Sequence, residues 1–551
     1  MAKKHIAYFS MEIALANDIH TYSGGLGILA GDSIRSGADM KIPLVAVTLI
    51  SKEGHFRQEL TREGRQVEHP SPWNPQDFMK KLPEEVSVRI QGRDVRIRAW
   101  NFSVRSPTGG AVPVYLLDTD VEGNDPRDRE ITSFLYGGDE KYRLKQEIVL
   151  GIGGVRMLDA LGIEVRKFHL NEGHASLLAL ELLRKHGGDI DKVKGLCVFT
   201  THTTVETGHD KFSYNLVREM LGEVVPLDLL KKLGGQDFLN MTLLALNLSD
   251  FINGVAKRHR DISKAMFPSY EVHAITNGVH SYTWTSESFR RLYDKYLPGW
   301  AYEPELLVRA DEIPVEEIWQ AHREAKEKLI DHVNYAKGVG MSYDAFTIGF
   351  ARRATEYKRA NLLFSDLEKL RKINRKGPIQ VIFAGKAHPH DFSGKRMIEE
   401  IFECIEMLRD EIKIVYLENY DMDIASKLVA GVDLWLNTPS PPSEASGTSG
   451  MKAAHNGVIN FSVLDGWWIE GWMEDITGWA IGPHPREQVP PEERKNREIE
   501  DLYNKLEYVI VPKYYNERDE WVRTMKSSIE KIAFFFNSHR MMRRYVAEAY
   551  F

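Results

Sequence analysis

Phe346-Thr347-Ile348-Gly349-Phe350-Ala351 is an apolar, partly β-branched run that gives way without a spacer to Arg352-Arg353-Ala354-Thr355-Glu356-Tyr357-Lys358-Arg359. Such a run, stopped abruptly by polar residues that open a helical turn, reads as a strand leading into a helix, one βα unit. The theme recurs on both sides. Residues 6–9, 44–49, 114–117, 168–170, 196–200 and 272–275 form a first series; 379–384, 413–417, 434–436 and 458–461 continue the second. A charged helical stretch at 315–332 separates the series, and no Gly/Ser-rich linker intervenes. The expected fold class is α/β, with two Rossmann-like doubly wound domains facing a central cleft at the carboxyl ends of their strands. The expected domains are 1–284 and 285–525, followed by a helical segment, 526–551, that packs back on the first domain.

A chain of 551 residues, 43% hydrophobic and 27% charged, exceeds what one core normally serves. Its net charge of −7 comes from nearly balanced acids and bases, so no bulk positive field draws nucleic acid or anionic lipid. An anionic ligand therefore needs a local basic site. Cys197 and Cys404 lie far apart and form no CxxC or Cys/His spacing, against a disulfide framework or a structural zinc. His202 and Glu206 lack a third metal ligand. Lys3-Lys4 precedes too short an apolar stretch for a secretory signal, and no run approaches about 18 uncharged apolar residues. A cytoplasmic protein without metal or membrane span is the expectation.

Three segments concentrate chemistry. Ser443-Glu444-Ala445-Ser446-Gly447-Thr448-Ser449-Gly450-Met451-Lys452 enters a helical Ala453-Ala454-His455-Asn456 closed by Gly457. Small residues at a helix start let an anion approach unpaired backbone N–H groups. A lysine amine beside them can bind the aldehyde of pyridoxal, whose phosphate the loop would cradle; a solvated helix lysine is the plain alternative. The basic run 352–359 offers the several fixed cations that two neighbouring anions require, though a solvated helix face has the same composition. Ser23-Gly24-Gly25-Leu26-Gly27 precedes a helix beginning around Ile28, and its glycines suit either close approach to a ligand or a tight turn. No segment has the dinucleotide or P-loop glycine spacing. His202, Asn277 and Tyr420 each follow an expected strand, where a ligand contact competes with a structural histidine, a turn asparagine and a core tyrosine.

Glu-Ala-Ser-Gly-Thr-x-x-Met-Lys at 444–452 resembles the pyridoxal-phosphate signature of α-glucan phosphorylases, and 352–359 resembles their Lys-Arg-x-x-x-Tyr-Lys-Arg motif. Further matches run from Ser10-Met11-Glu12 to the region around Asp465, most of the chain. The resemblance implies the two-domain glycosyltransferase fold, with Lys452 at the Schiff-base position and Gly447, Thr448 and Ser449 as the phosphate cradle. Arg352 would touch the cofactor phosphate; Arg353 and Lys358 would bind substrate phosphate. Glu444 would hydrogen-bond a sugar hydroxyl, and Tyr357 the sugar or phosphate. The amides of Gly24 and Gly25 would face the transferred phosphate while Leu26 lines the sugar site. His202 would contact the terminal glucosyl unit, Asn277 and Tyr420 would stand at sugar or cofactor-side positions, and Trp284 would pack on the cofactor. Three departures stand out: Arg352 replaces a usual lysine, Thr355 stands where many members carry histidine, and Glu172 interrupts an Asn-Asp-x-His loop.

The implied reaction is reversible phosphorolysis of an α-1,4-glucan such as glycogen, starch or maltodextrin. Inorganic phosphate would yield α-D-glucose 1-phosphate with retention, and pyridoxal 5'-phosphate would act through its phosphate rather than as an electron sink. The resemblance also implies a homo-oligomer, and the short approach to the first strand implies no phosphorylation or effector control. The alternative is a retaining nucleotide-sugar glucosyltransferase of glycogen- or starch-synthase type. Against it, Lys452 stands where a Glu-x7-Glu pair from Glu444 needs its second glutamate, and Tyr22 stands where Lys-x-Gly-Gly-Leu needs its lysine.

Overall fold

The computed structural model describes residues 4–222 and 224–551; Lys3, weighed above as part of a leader, lies outside them. The chain forms two compact units. The first comprises residues up to Phe56, Pro70–Thr276 and Met541–Phe551; the second comprises Arg57–His69 and Asn277–Arg540. The boundary thus falls at 276/277 rather than 284/285, placing Asn277 and Trp284 in the second unit.

The sheet of the first unit contains β1 (His5–Ser10), β2 (Leu44–Leu49), β3 (Lys80–Ile90), β4 (Arg93–Arg105), β5 (Ala111–Asp118), β6 (Val165–Asn171), β7 (Cys197–Thr200), β8 (Phe251–Gly254) and β9 (His273–Ala274). They lie in the order β9-β8-β7-β6-β1-β2-β5-β4-β3. The pairs from β9 to β5 are parallel, and only β5-β4 and β4-β3 are antiparallel. The order reverses between β1 and β6, so the loops leaving these two strands flank a topological switch point, where open α/β sheets bind ligands.

The sheet of the second unit is entirely parallel. It contains β10 (Phe346–Ala351), β11 (Ile379–Ala384), β12 (Lys413–Leu417), β13 (Leu434–Asn437), β14 (Ile459–Val463) and β15 (Gly478–Ile481), in the order β12-β11-β10-β13-β14-β15. Counted from β10 this is the Rossmann order, with its switch point between β10 and β13. Every residue of β10 and β11 is buried, which is why both are apolar runs broken only by Thr347 and Gln380. At the opposite end of these strands, buried Asp433 pairs with Lys326 at 2.6 Å and His322 at 2.8 Å and accepts from the Thr347 amide, pinning helix Val315–Lys337 to the sheet.

Two long strands were absent from the sequence reading. β3 and β4 alternate exposed charged with buried apolar residues, as in Val88 and Ile90, so neither shows an apolar run. β8 and β15 are short and carry glycine at an end. The stretch 521–551 is mostly helical but breaks after Ala533; helix Ser538–Tyr545 then begins afresh. In the first unit Met541, Met542, Tyr545 and Tyr550 join Ile6, Tyr8 and Ile34 in one buried cluster, and Tyr550 Oη lies 2.6 Å from His169 Nδ1. No helix among the described residues is long and apolar enough to cross a membrane.

Candidate active site

In the second unit the two loops at the switch point carry the basic run and the 443–452 segment. The chain leaves β10 through Arg352 and Arg353, makes a short 3-10 turn over Glu356–Lys358, and buries the Lys358 side chain. The loop leaving β13 brings Glu444 against it. Lys358 Nζ and Arg352 Nη2 both donate to Glu444 Oε2, at 2.5 and 2.6 Å. Burial alone would push the Glu444 carboxyl up, but the Arg352 and Lys358 charges more than reverse this and hold it at about 2. Arg352 Nε and Nη1 are buried and find no hydrogen-bond partner among the described residues. A guanidinium with two buried nitrogens unspent is a site for an anion. Arg353 is exposed and Tyr357 lies beside Lys358, whose Nζ sits 4.4 Å from the ring centre.

Asp465, after β14, accepts the Glu444 amide at 2.8 Å and fixes the start of this loop. Burial pushes its carboxyl up to about 7, with the negative Glu444 adding to the rise. Gly447 adopts φ 75°, and a Cβ there would come within 3.2 Å of Glu444 Cδ, so this glycine is needed for the turn. Helix Ser449–Ala454 follows and presents Lys452, which is only 7% exposed. Lys452 Nζ stands 3.7 Å over the ring centre of Trp284. Asn456 joins the two elements, donating to the carbonyls of Trp284 (2.8 Å) and Lys452 (3.1 Å). The Ser449 hydroxyl is occupied by Trp435 Nε1 at 3.0 Å. Tyr420 is half-buried and its phenol is raised by burial; Asn277 is buried with its Oδ1 unpaired among the described residues.

In the first unit the equivalent switch point gathers Glu12, the glycine loop, Asn171, Glu172 and His202. Helix Gly25–Asp39 starts directly after Gly24, three residues earlier than expected. Cβ atoms built at Gly24 and Gly25 would meet nothing within 4 Å, so protein packing does not require this glycine pair. Glu12 Oε2 accepts the amides of Ser23 (2.5 Å) and Gly24 (3.1 Å), while Oε1 accepts Tyr136 Oη at 3.0 Å. The carboxylate therefore anchors the loop by the very Gly24 amide expected to face phosphate. Leu26 is half-buried beside it.

His202 is oriented by a chain of bonds across three neighbouring strands. Ser10 Oγ donates to Glu12 O and so accepts from Asn171 Nδ2; Asn171 Oδ1 then accepts from His202 Nε2 at 2.7 Å. The proton is thus on Nε2, leaving Nδ1 as the ring's acceptor. Glu172, at φ 74°, accepts the His202 amide at 2.7 Å and the Thr203 hydroxyl at 3.0 Å, which gives the unexpected glutamate of this loop a positioning task. Glu12, Asn456 and Asp465 had no assigned role in the sequence; each acts through backbone contacts with residues distant along the chain.

Burial lowers the His202 pKa to about 3. Histidine NMR is therefore expected to show His202 neutral from about pH 8 down to about pH 5; a titration inside that window contradicts the burial described. Glu444, depressed from 4.5, contributes stability that is fully present above that value and disappears only as pH falls through about 2.

A family profile described as carbohydrate phosphorylase matches residues 227–477, spanning most of the second unit. Maltodextrin phosphorylase of Thermococcus litoralis is 41% identical over 99% of this chain and 70% of its own length. The chain belongs to the carbohydrate phosphorylase family. Two other carbohydrate phosphorylases extend the similarity: glycogen phosphorylase of Aquifex aeolicus, 37% identical over all of this chain and 86% of its own, and that of Mycobacterium tuberculosis, 35% identical over 99% and 70%. Both segments singled out in the second unit, 352–359 and 443–452, lie inside the matched carbohydrate phosphorylase region.

Proposed function

We propose that this chain is an α-glucan phosphorylase that transfers terminal α-1,4-glucosyl units to inorganic phosphate, giving α-D-glucose 1-phosphate with retention, and that it holds pyridoxal 5'-phosphate at Lys452. The observation that carries the cofactor assignment is Arg352, two of whose guanidinium nitrogens are buried and unspent while the third is held by Glu444. The residues present fit the group. Lys452 supplies a buried amine, Trp284 a flat apolar face, and Arg352 an anion site; Gly447, Thr448 and Ser449 belong to the loop that would cradle the phosphate, and Tyr420, whose phenol feels the Arg352 charge, would stand on the cofactor side. When bound, the cofactor would supply a phosphate able to exchange a proton with substrate phosphate.

The chain's own groups account for the remaining work. Arg353, exposed at the strand end, and Lys358 provide charge for substrate phosphate, with Tyr357 beside them. Glu444 holds Lys358 and Arg352 close together, and its second oxygen can accept a sugar hydroxyl. In the first unit, the empty space over Gly24 and Gly25 lets a ligand reach the backbone, with Leu26 beside it. In the second unit, Asn277 offers the buried Oδ1 that has no partner among the described residues to a sugar hydroxyl. Neutral His202, its Nε2 proton committed to Asn171, offers Nδ1 to a glucosyl hydroxyl. None of these steps requires a protein carboxyl as general acid, consistent with a Glu444 that stays ionised.

A nucleotide-sugar donor is not favoured, because the position that would need a second carboxylate is a lysine buried against Trp284. The deciding assay incubates the protein with maltodextrin and phosphate, with and without added pyridoxal phosphate, and measures glucose 1-phosphate. Cofactor-dependent product is expected. Nucleotide release from UDP- or ADP-glucose without phosphorolysis would overturn the reading.

A further inference from the structure

The loop carrying Lys358 is fastened at Arg359, a motif residue without an assigned task. Arg359 adopts φ 48°, a left-handed conformation that L side chains rarely take. Its guanidinium is spent on three partners: Nε donates to Thr438 O at 2.8 Å, Nη2 to Pro439 O at 2.6 Å, and Nη1 lies 2.7 Å from Glu498 Oε2. The opposing loop reciprocates. Thr438 Oγ1 lies 3.2 Å from Lys358 O and 3.0 Å from Arg359 O, and the Ser440 amide donates to Tyr357 O at 2.7 Å.

Glu498 belongs to helix Pro491–Lys505 and is completely buried. Gly482 makes room for it: at φ 76°, a Cβ on this glycine would come within 2.4 Å of Glu498 Cγ. Burial pushes the Glu498 carboxyl up while the Arg359 charge opposes the rise, so removing Arg359 would leave this buried carboxyl without its counter-charge. The pair also lines a cavity of about 1120 Å³ bounded by Tyr357 and helix 491–505, on which it presents no exposed carboxylate from Glu498.

We infer that Arg359 and Glu498 are positioning residues, whose ion pair holds the left-handed turn that directs Lys358 onto Glu444. The catalytic consequence rests on the proposed role of Lys358 toward substrate phosphate; the structural coupling does not. A residue acting through another changes nothing further once that other residue is gone.

The test compares the holoenzyme with Glu498→Gln, Arg359→Lys, Lys358→Ala and the Glu498→Gln/Lys358→Ala double variant. At saturating maltodextrin, E498Q is expected to raise the KM for phosphate by about tenfold or more, since a misplacement of about 1 Å costs on the order of a hundredfold. The KM for maltodextrin should stay within about twofold of the parent, because the contact displaced is to phosphate. R359K, which keeps charge but loses the planar fork, should move the phosphate KM in the same direction and serves if E498Q folds poorly. The double variant should bind phosphate no worse than K358A, and its denaturation midpoint should fall less than the two single shifts combined. An unchanged phosphate KM in both E498Q and R359K, with K358A impaired, overturns the inference, as do additive midpoint shifts. If K358A itself leaves the phosphate KM unmoved, the proposed role of Lys358 fails instead, and the midpoint coupling still decides the positioning claim.

Discussion

Lys452→Ala is expected to abolish cofactor retention and lower phosphorolysis by at least about a thousandfold, the scale on which a group indispensable to the chemistry is lost. The proposed role has a geometric basis: Lys452 is 7% exposed, its amine lies over Trp284, and Asn456 ties the backbones of both residues together. Alanine is a good helix former, so helix Ser449–Ala454 should survive the change. The measurement is bound-pyridoxal absorbance of the purified protein beside glucose 1-phosphate formation. Full turnover by K452A would remove the basis of the cofactor assignment, whereas loss of turnover with the absorbance intact would mean that another amine holds the group.

Glu444→Gln should have the largest effect on stability. Arg352 and Lys358 converge on one oxygen at 2.6 and 2.5 Å, so the two cations stand within about 5 Å of one another, and neutralising the carboxylate leaves them facing each other in a largely dehydrated pocket. At an effective dielectric of 20 that repulsion is ~3 kcal/mol, in line with the ~3–5 kcal/mol typical of breaking a buried ion pair from one side. Chemical denaturation without phosphate should show a loss of this order. Inorganic phosphate should then stabilise E444Q more than the parent, because it replaces the missing negative charge. Equal stability of E444Q and parent, with no added response to phosphate, would contradict the ion triad.

Legibility in the sequence followed burial. Residues 44–49, 346–351, 379–384 and 413–417 were read with the observed bounds, because parallel strands covered on both faces are near-continuous apolar runs. β3 and β4 escaped because one face of each is solvated and carries lysine, glutamate and arginine. The candidate site divides similarly. Glu444, Lys452, Arg352 and Lys358 fall in compact motifs whose residue types already suggest anions. What holds them does not: Asp465 reaches Glu444 through a backbone amide, and Glu498 on a charged helix looks like part of a solvated face until Gly482 and Arg359 are placed beside it. Contacts made between distant segments leave no local spacing to read.

Because Met541, Met542, Tyr545 and Tyr550 complete the cluster that covers Ile6 and Tyr8, the first unit is not a segment that a ribosome can deliver whole before starting the second. A nascent chain must carry that greasy face uncovered through the synthesis of residues 277–540, in contrast to the usual amino-to-carboxyl order of domain assembly. Severing the chain at 276/277 would therefore yield two orphans, one without residues 541–551 and the other without Arg57–His69, whose ends pair as two short antiparallel strands.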